Sequence, residues 1–266
     1  MPLPYAQEGN TAFETHLAQR TIAQSSVFIQ PFLRAGMRVL DAGCGPGSIT
    51  VGLAAAVAPG EVVGVDRQPS QVERARTLAA SERIRNVRFE VADVYALPFA
   101  DRSFDLIFAH ALLMHVHDHV RALSELRRVL RPGGLIDVRD PDLLTTVLVP
   151  ATPTLERYRA LRQQIEVEAG HDLSFARQYR RLLLEAGFTR TTAGASADSA
   201  GTLQATRAHA TFLTAQLYGH ARSGYLGASL DNQAVERFAA ELKVWGERAD
   251  AFCAWMWYEA IGWTAG

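Results

Sequence analysis

Short apolar runs alternate with amphipathic stretches from about residue 37 to residue 140, the pattern of a parallel sheet whose strands are joined by crossover helices. Arg38 to Asp41, Val62 to Asp66, Val87 to Val91, Phe104 to Ala109 and Leu135 to Arg139 read as its strands. Between the first two, Ser48 to Ala58 reads as a helix stopped by Pro59-Gly60. The next helix begins at Pro69, with Val72, Ala75, Leu78 and Ala79 on its apolar side. Another runs from His117 to Leu130, where Val120, Leu123, Leu126, Val129 and Leu130 recur at helical spacing. Arg131-Pro132-Gly133-Gly134 ends it in a tight turn before the fifth strand.

Outside this block the pattern loosens. Residues before Gly36 read as a helical arm carrying Phe13, Leu17, Ile22 and Phe28. Past Asp140, the prolines Pro141, Pro150 and Pro153 predict a long connection leading to a helix over Leu155 to Glu168. Phe175 to Ala186 reads as a helix closed by Gly187. Leu203 to His220 and Asn232 to Glu247 read as two more, the second capped by Asp231. Phe188 to Ala195 and the aromatic stretch Phe252 to Trp263 are candidate strands.

Composition narrows the classes. A chain of 266 residues, 48% hydrophobic, can bury a substantial core. A net charge of −1 gives no overall electrostatic case for nucleic acid or a membrane surface. No run approaches the roughly 20 apolar residues of a membrane span, and no secretory leader pattern opens the chain. Of two cysteines, Cys44 and Cys253, one lies inside a glycine run, so a structural disulfide is not expected. The natural reading is a soluble cytoplasmic protein.

The chemistry concentrates at Val39-Leu40-Asp41-Ala42-Gly43-Cys44-Gly45-Pro46-Gly47. A strand ends in an acid, and alternating glycines then open a helix whose N–H groups and dipole point back at the loop. Glycine, with no Cβ, lets a backbone approach a ligand closely. A dinucleotide loop would place its third glycine where Ser48 stands, and its phosphates would face Asp41 unfavourably. A phosphate-binding P-loop would continue with Gly-Lys-Ser/Thr, which is absent. An acid beside the loop suits a ligand carrying an ammonium or a sulfonium, and S-adenosylmethionine carries both.

With these residues the chain resembles class I S-adenosylmethionine-dependent methyltransferases, in the broad group that includes ubiquinone and menaquinone biosynthesis C-methyltransferases. Val39 to Gly47 is similar to the glycine motif, and Val62-Val63-Gly64-Val65-Asp66 to the second strand with its terminal acid. Ala92-Asp93-Val94 resembles the adenine-contacting turn, followed by Leu97-Pro98-Phe99 and Phe104-Asp105-Leu106. Leu130-Arg131-Pro132-Gly133-Gly134 resembles the turn before the fifth strand. The likeness covers residues 36 to 140 or so, and more loosely Leu184-Glu185-Ala186-Gly187-Phe188.

The resemblance implies an α/β fold, with a Rossmann-like seven-stranded, mostly parallel sheet, helices on both faces and a small helical cap. It implies one methyltransferase domain, its core over about 36–200 and 250–266 and its cap from 1–35 and about 201–249. It implies S-adenosylmethionine as cofactor, S-adenosylhomocysteine as product, and a cofactor set of Asp41, Ala42, Gly43, Gly45, Asp66, Arg67, Gln71, Asp93, Val94, His110 and Tyr5. Gly43 and Gly45 would meet the methionine part and Asp41 its ammonium. Asp66 would accept from both ribose hydroxyls, a vicinal diol matching two carboxylate oxygens. Asp93 would accept from the adenine amine, Val94 would address the ring, and Tyr5 would close over the ligand.

The acceptor is less legible. In-line methyl transfer from a sulfonium needs alignment above all, and a general base only where the acceptor must lose a proton. His110 follows the fourth strand, and Ala109-His110-Ala111-Leu112 departs from the Asn/Asp-Pro-Pro-Tyr/Phe motif of amide and adenine N-methyltransferases. His110 and His115 are the candidate catalytic residues. His115, His117 and His119 sit two apart and diverge on a helix, so no metal site is expected. Arg139, Asp140 and Asp142 are candidate acceptor contacts or solvated loop residues. Phe252, Trp255, Trp257 and Trp263 read as a buried strand with edge contacts rather than an aromatic pocket. The expected partner is a small organic acceptor, methylated on O, N or C, with a homodimer as a candidate assembly. A non-catalytic S-adenosylmethionine sensor or scaffold and an NAD(P)-dependent oxidoreductase are the competing readings.

Overall fold

The computed structural model describes residues 17–25, 27–168, 170–222 and 231–266. In chain order the elements are α1 (Ile22–Ser25), β1 (Val39–Ala42), α2 (Ser48–Val57), β2 (Val62–Asp66), α3 (Pro69–Ser81), β3 (Val87–Val91) and β4 (Phe104–His110). Then follow α4 (His119–Val129), β5 (Leu130–Val149), α5 (Pro153–Glu168), α6 (Tyr179–Glu185), β6 (Arg190–Ala200), α7 (Leu203–Arg222), α8 (Asn232–Gly246) and β7 (Phe252–Trp263). The seven strands form one sheet in the order β3-β2-β1-β4-β5-β7-β6. β1 pairs in parallel with β2 and β4, β2 with β3, and β4 with β5. This is the mostly parallel, Rossmann-like α/β sheet that the resemblance implies.

Strand parity decides which face each side chain serves. Leu40, Ala42, Val63, Val65, Ile107, Ala109, Ile136 and Val138 face one side, packed with Leu123, Leu126 and Val129 of α4 and Leu182 and Leu183 of α6. Val39, Val62, Leu106, Phe108, Leu135 and Ile261 face the other, packed with Ile49, Leu53 and Val57 of α2. Each such fully buried aliphatic side chain contributes about 1.5–3 kcal/mol. That is enough to dock α4 although its outer face carries Arg121 and Arg127.

The described residues group into two compact units. Leu17–Pro141, Phe175–Ala195 and Tyr258–Gly266 form one, which holds β1 to β4, α1 to α4 and α6. Asp142–Ser174 and Ser196–Trp257 belong to the other, with α5, α7 and α8. That second unit has its own apolar core, with Tyr158, Leu213, Leu242 and Trp245 at its centre. Gly246 lies so close to α7 that a Cβ there would come within 2.6 Å of Ala210 Cβ. The Trp245 indole N–H donates to Val149 O at 3.0 Å.

Most element boundaries lie within a residue or two of the sequence reading. α4 starts at His119 rather than His117, because the Asp118 side chain accepts the Arg121 N–H and caps the helix there. The Phe175 to Ala186 helix divides into a 3-10 turn, Phe175–Gln178, and α6. β6 begins at Arg190 rather than Phe188 and runs on to Ala200. The largest difference is β5. The expected strand over 135–139 is an extended segment over Leu130–Val149, with its register against β4 shifted between Phe104 and Leu106. Pro141 does not end it, since proline is compatible with extended backbone wherever no ladder N–H is required of it.

β7 occupies the aromatic stretch as expected. Trp257 is buried, Trp255 stacks on His209 at 4.8 Å, and Trp263 meets Phe32 edge-on at 5.8 Å. Phe252 is 38% exposed. Cys44 and Cys253 are both free, buried thiols.

Candidate functional site

The C-terminal ends of β1, β2 and β4 bring together most of the residues expected to hold a cofactor. The Gly43 and Cys44 N–H groups both donate to Val65 O, at 2.8 and 2.9 Å, folding the glycine turn back onto β2. The Gly45 N–H donates to Asp66 Oδ2 at 3.0 Å, and the Gln68 N–H to Asp66 Oδ1 at 2.9 Å. Each carboxylate oxygen therefore carries one backbone donor and keeps acceptor capacity for another. Burial raises the Asp66 pKa, while the Gln68 and Gly45 N–H groups and the nearby Arg67 guanidinium pull it down.

The glycines differ in what they serve. Gly45 has φ +52°, and a Cβ built there meets nothing within 4 Å among the described residues, which leave this stretch of backbone room for a ligand. Gly47, at φ +84°, instead lets α3 approach, since its Cβ would lie 2.8 Å from Ala75 Cβ and 3.0 Å from Ala75 Cα. Only glycine combines a left-handed φ with such contacts cheaply.

Asp41 shares the parity of Val39, so it points to the α2 face, where the Thr50 hydroxyl donates to its Oδ2 at 2.6 Å. It is 3% exposed. Desolvation pushes its pKa up to about 7, against the Thr50 bond, and the neighbouring Asp66 charge adds to the rise. Ala42 is buried between Val65 of β2 and Ala109 of β4.

Around Asp66 the remaining cofactor candidates divide by exposure. Arg67 is exposed. Gln71 is buried in the first turns of α3, and among the described residues its Oε1 has no hydrogen-bond partner. A buried acceptor of that kind costs about 1–3 kcal/mol until a donor reaches it. Asp93 is exposed in a turn, its Oδ1 accepting the Tyr95 N–H at 2.8 Å, and Val94 beside it is half-buried. The Ala92 N–H donates to Asp66 O and so ties this turn to the end of β2. An exposed acid, an orphaned amide oxygen, a diol-sized carboxylate and an open glycine turn on neighbouring strand ends fit an adenosyl group carrying an amino-acid tail.

His110 ends β4, in register with Arg139 of β5. It packs edge-on against Phe108 at 6.1 Å. Burial, then the charges of Arg20 and Arg139, hold its pKa well below the ordinary histidine value, so the imidazole is neutral. His115 closes the 3-10 turn Leu113–His115 and is exposed, as is His117, while His119 stacks on Phe175 at 4.5 Å. Tyr5 lies outside the described residues.

Arg139, Asp140 and Asp142 are buried strand residues rather than solvated loop residues. Arg139 pairs with Glu259 of β7 at 3.2 Å. Asp140 Oδ2 accepts the Tyr179 hydroxyl at 2.5 Å and its Oδ1 the Met114 N–H at 3.1 Å. Asp142 Oδ1 accepts the Leu144 N–H. Sequence reading missed Asp137, which is fully buried on the α2 face of β5 with neither carboxylate oxygen hydrogen-bonded among the described residues. Its position between Ile136 and Val138 was the available signal, because it breaks an apolar run. Tyr179 and Arg20 were missed as well, being distant in sequence from the residues they face.

A family model described as a methyltransferase domain matches residues 33–180. An uncharacterized methyltransferase of Schizosaccharomyces pombe is 38% identical over 143 residues, 52% of this chain and 51% of that protein. The chain thus spans about half the length of this relative. A probable methyltransferase of Aspergillus luteorubrus is 28% identical over 269 residues, covering 94% of this chain and 93% of its own. Among solved structures, Haemonchus contortus phosphoethanolamine N-methyltransferase 2, in complex with S-adenosylhomocysteine, superposes with a TM-score of 0.62 at 17% identity. The match covers 98% of this chain and 58% of that one. With a matching model over more than half of its length, the chain belongs to the methyltransferase domain family, whose methyl donor is S-adenosylmethionine.

Proposed function

We propose that this protein transfers a methyl group to a small organic molecule. The observation that carries the reading is the Asp66–Gly45 bond. It sets a carboxylate with remaining acceptor capacity beside a left-handed glycine whose outer side meets none of the described residues.

S-adenosylmethionine, when bound, supplies a methyl carbon on a sulfonium, a centre already activated for displacement. The protein's part is to bind, orient and exclude water. Asp66 holds the ribose diol, Gln71 Oε1 offers a buried acceptor nearby, and Asp93 with the Val94 backbone addresses the adenine. Gly43 and Gly45 would line the methionine end, with Asp41, buried against Thr50 and its pKa pushed up to about 7, placed behind them near the ammonium, directly or through water. The dipole of α2 starts at this turn.

Transfer to oxygen, nitrogen or carbon differs in whether a proton must leave. Where it must, His110 at the end of β4 is the candidate base by position, against the burial and the Arg20 and Arg139 charges that disfavour its imidazolium. His115 is the second candidate. The net charge of −1 favours a small acceptor over a nucleic acid. Among the described residues no helix is long and apolar enough to cross a membrane. A cytoplasmic location and a homodimer belong to the same reading and rest on the sequence alone.

Titration calorimetry with S-adenosylmethionine and S-adenosylhomocysteine tests the donor site, and absence of binding at millimolar ligand overturns it. Labelled cofactor screened against quinones, phenols, amines and sterol-like lipids tests transfer. Binding without transfer to any acceptor would identify a sensor or scaffold instead.

A further inference from the structure

The chain makes an unusual turn as it leaves β4. Ala111 has φ +53°, the left-handed region that costs a residue with a Cβ about 1–2 kcal/mol. Such strain persists where the surroundings over-determine it, and it clusters at functional sites. Here it is fastened from β5 and α6. The Ala111 N–H donates to Arg139 O at 2.8 Å. Three residues on, the Met114 N–H donates to Asp140 Oδ1, and the other oxygen of Asp140 accepts the Tyr179 hydroxyl. Asp140 and Tyr179 are 0% and 1% exposed, so water does not substitute for either group.

The fastened turn presses on the glycine loop. A Cβ at Gly43 would lie 2.9 Å from Leu112 Cδ1 and 3.1 Å from Leu112 Cβ, so Leu112 fills the space beside the Gly43 backbone. Strand parity explains why the fastening comes from α6. Asp140 has the parity of Ile136 and Val138, which face α4 and α6, and Tyr179 is the first residue of α6.

We propose that Asp140 and Tyr179 are positioning residues of the methyl-donor site, holding the strained Ala111 turn so that Leu112 walls the Gly43 end of the cofactor cradle. This rests on the methyltransferase reading above, in which that end receives the methionine part while Asp66 and Asp93 hold the adenosine part. Neither residue touches the ligand; each acts through the turn.

The two ends of the cradle are separable by the probe used. S-adenosylhomocysteine engages both, whereas adenosine engages only the end that holds the nucleoside. Asp140→Ala is expected to weaken S-adenosylhomocysteine binding about tenfold, the size of one lost buried hydrogen bond, and to leave adenosine affinity within about twofold. Tyr179→Phe, which removes one hydroxyl and little volume, is expected to act in the same direction. Asp140→Asn keeps an acceptor for the Met114 N–H and a donor for the Tyr179 oxygen, and is expected to restore most of the affinity. Calorimetry with both ligands on the full chain reads all three variants. Equal losses for both ligands, no loss for either, or failure of Asp140→Asn to restore binding overturns the positioning role. A native protein that binds neither ligand removes the methyltransferase reading and this inference with it.

Discussion

Asp66 Oδ2 accepts the Gly45 N–H at 3.0 Å, across 21 residues of sequence. The acid that closes β2 is therefore also the strut that shapes the turn after β1. Ligand binding and loop geometry are joined in one side chain. A change at Asp66 acts on the ribose contact and on the glycine turn together.

Asp66→Ala is accordingly expected to weaken S-adenosylhomocysteine binding by well over tenfold, since bonds to a charged acceptor contribute about 1.5–3 kcal/mol each. Calorimetry measures it. An unchanged dissociation constant would show that the diol contact is misassigned.

Gly45 and Gly47, both left-handed, predict opposite phenotypes. Gly47→Ala adds about 1–3 kcal/mol of overpacking against Ala75 to the backbone cost. Gly45→Ala meets no atom of the described residues and carries the backbone cost alone, but places a methyl where ligand would pass. Denaturant melts should therefore rank Gly47→Ala as the less stable, while ligand affinity should suffer in Gly45→Ala. The reverse ranking would contradict the roles assigned to these positions.

Thr50→Val removes the hydroxyl that donates to Asp41. Asp41 has its folded pKa raised from 3.8 to about 7, so the stability it contributes is full below pH 4 or so and is lost as pH rises through 7. Taking away the donor raises that pKa further and steepens the loss. The destabilisation by Thr50→Val, measured against the native protein, should be larger at pH 8 than at pH 5. Because Asp140 titrates about the same pH, the difference between the two proteins is the informative quantity.

Asp137→Val replaces a buried carboxyl, its oxygens lacking hydrogen bonds among the described residues, with an apolar side chain suited to a strand. Desolvation, followed by the Glu259 charge, raises its pKa well above the ordinary carboxylate value, against the pull of Arg139. Its contribution is likewise lost as pH rises. The substitution is expected to stabilise the fold by about 1 kcal/mol or more at pH 8, and by less at pH 5. A lower melting temperature at pH 8 would show that Asp137 has a structural partner worth more than its burial cost.

The alternation of strands and helices to residue 140, the glycine turn and the acids at the ends of β1 and β2 were all legible in the linear chain. Those signals are local. Periodicity, a glycine's missing Cβ and an acid at a strand end are properties of neighbouring residues, and they survive without knowledge of what lies across the sheet. Folding was needed to bring Thr50 to Asp41, Glu259 to Arg139, and Tyr179 to Asp140 beside the turn after β4. Each of these depends on which sheet face a strand residue occupies and which helix covers that face. The length of β5 was hidden for a related reason. Pro141 reads as a break along the chain, whereas the strand continues beyond it to Val149. The donor end of the site is written in contiguous motifs, while the residues that hold it in shape are brought together by the fold.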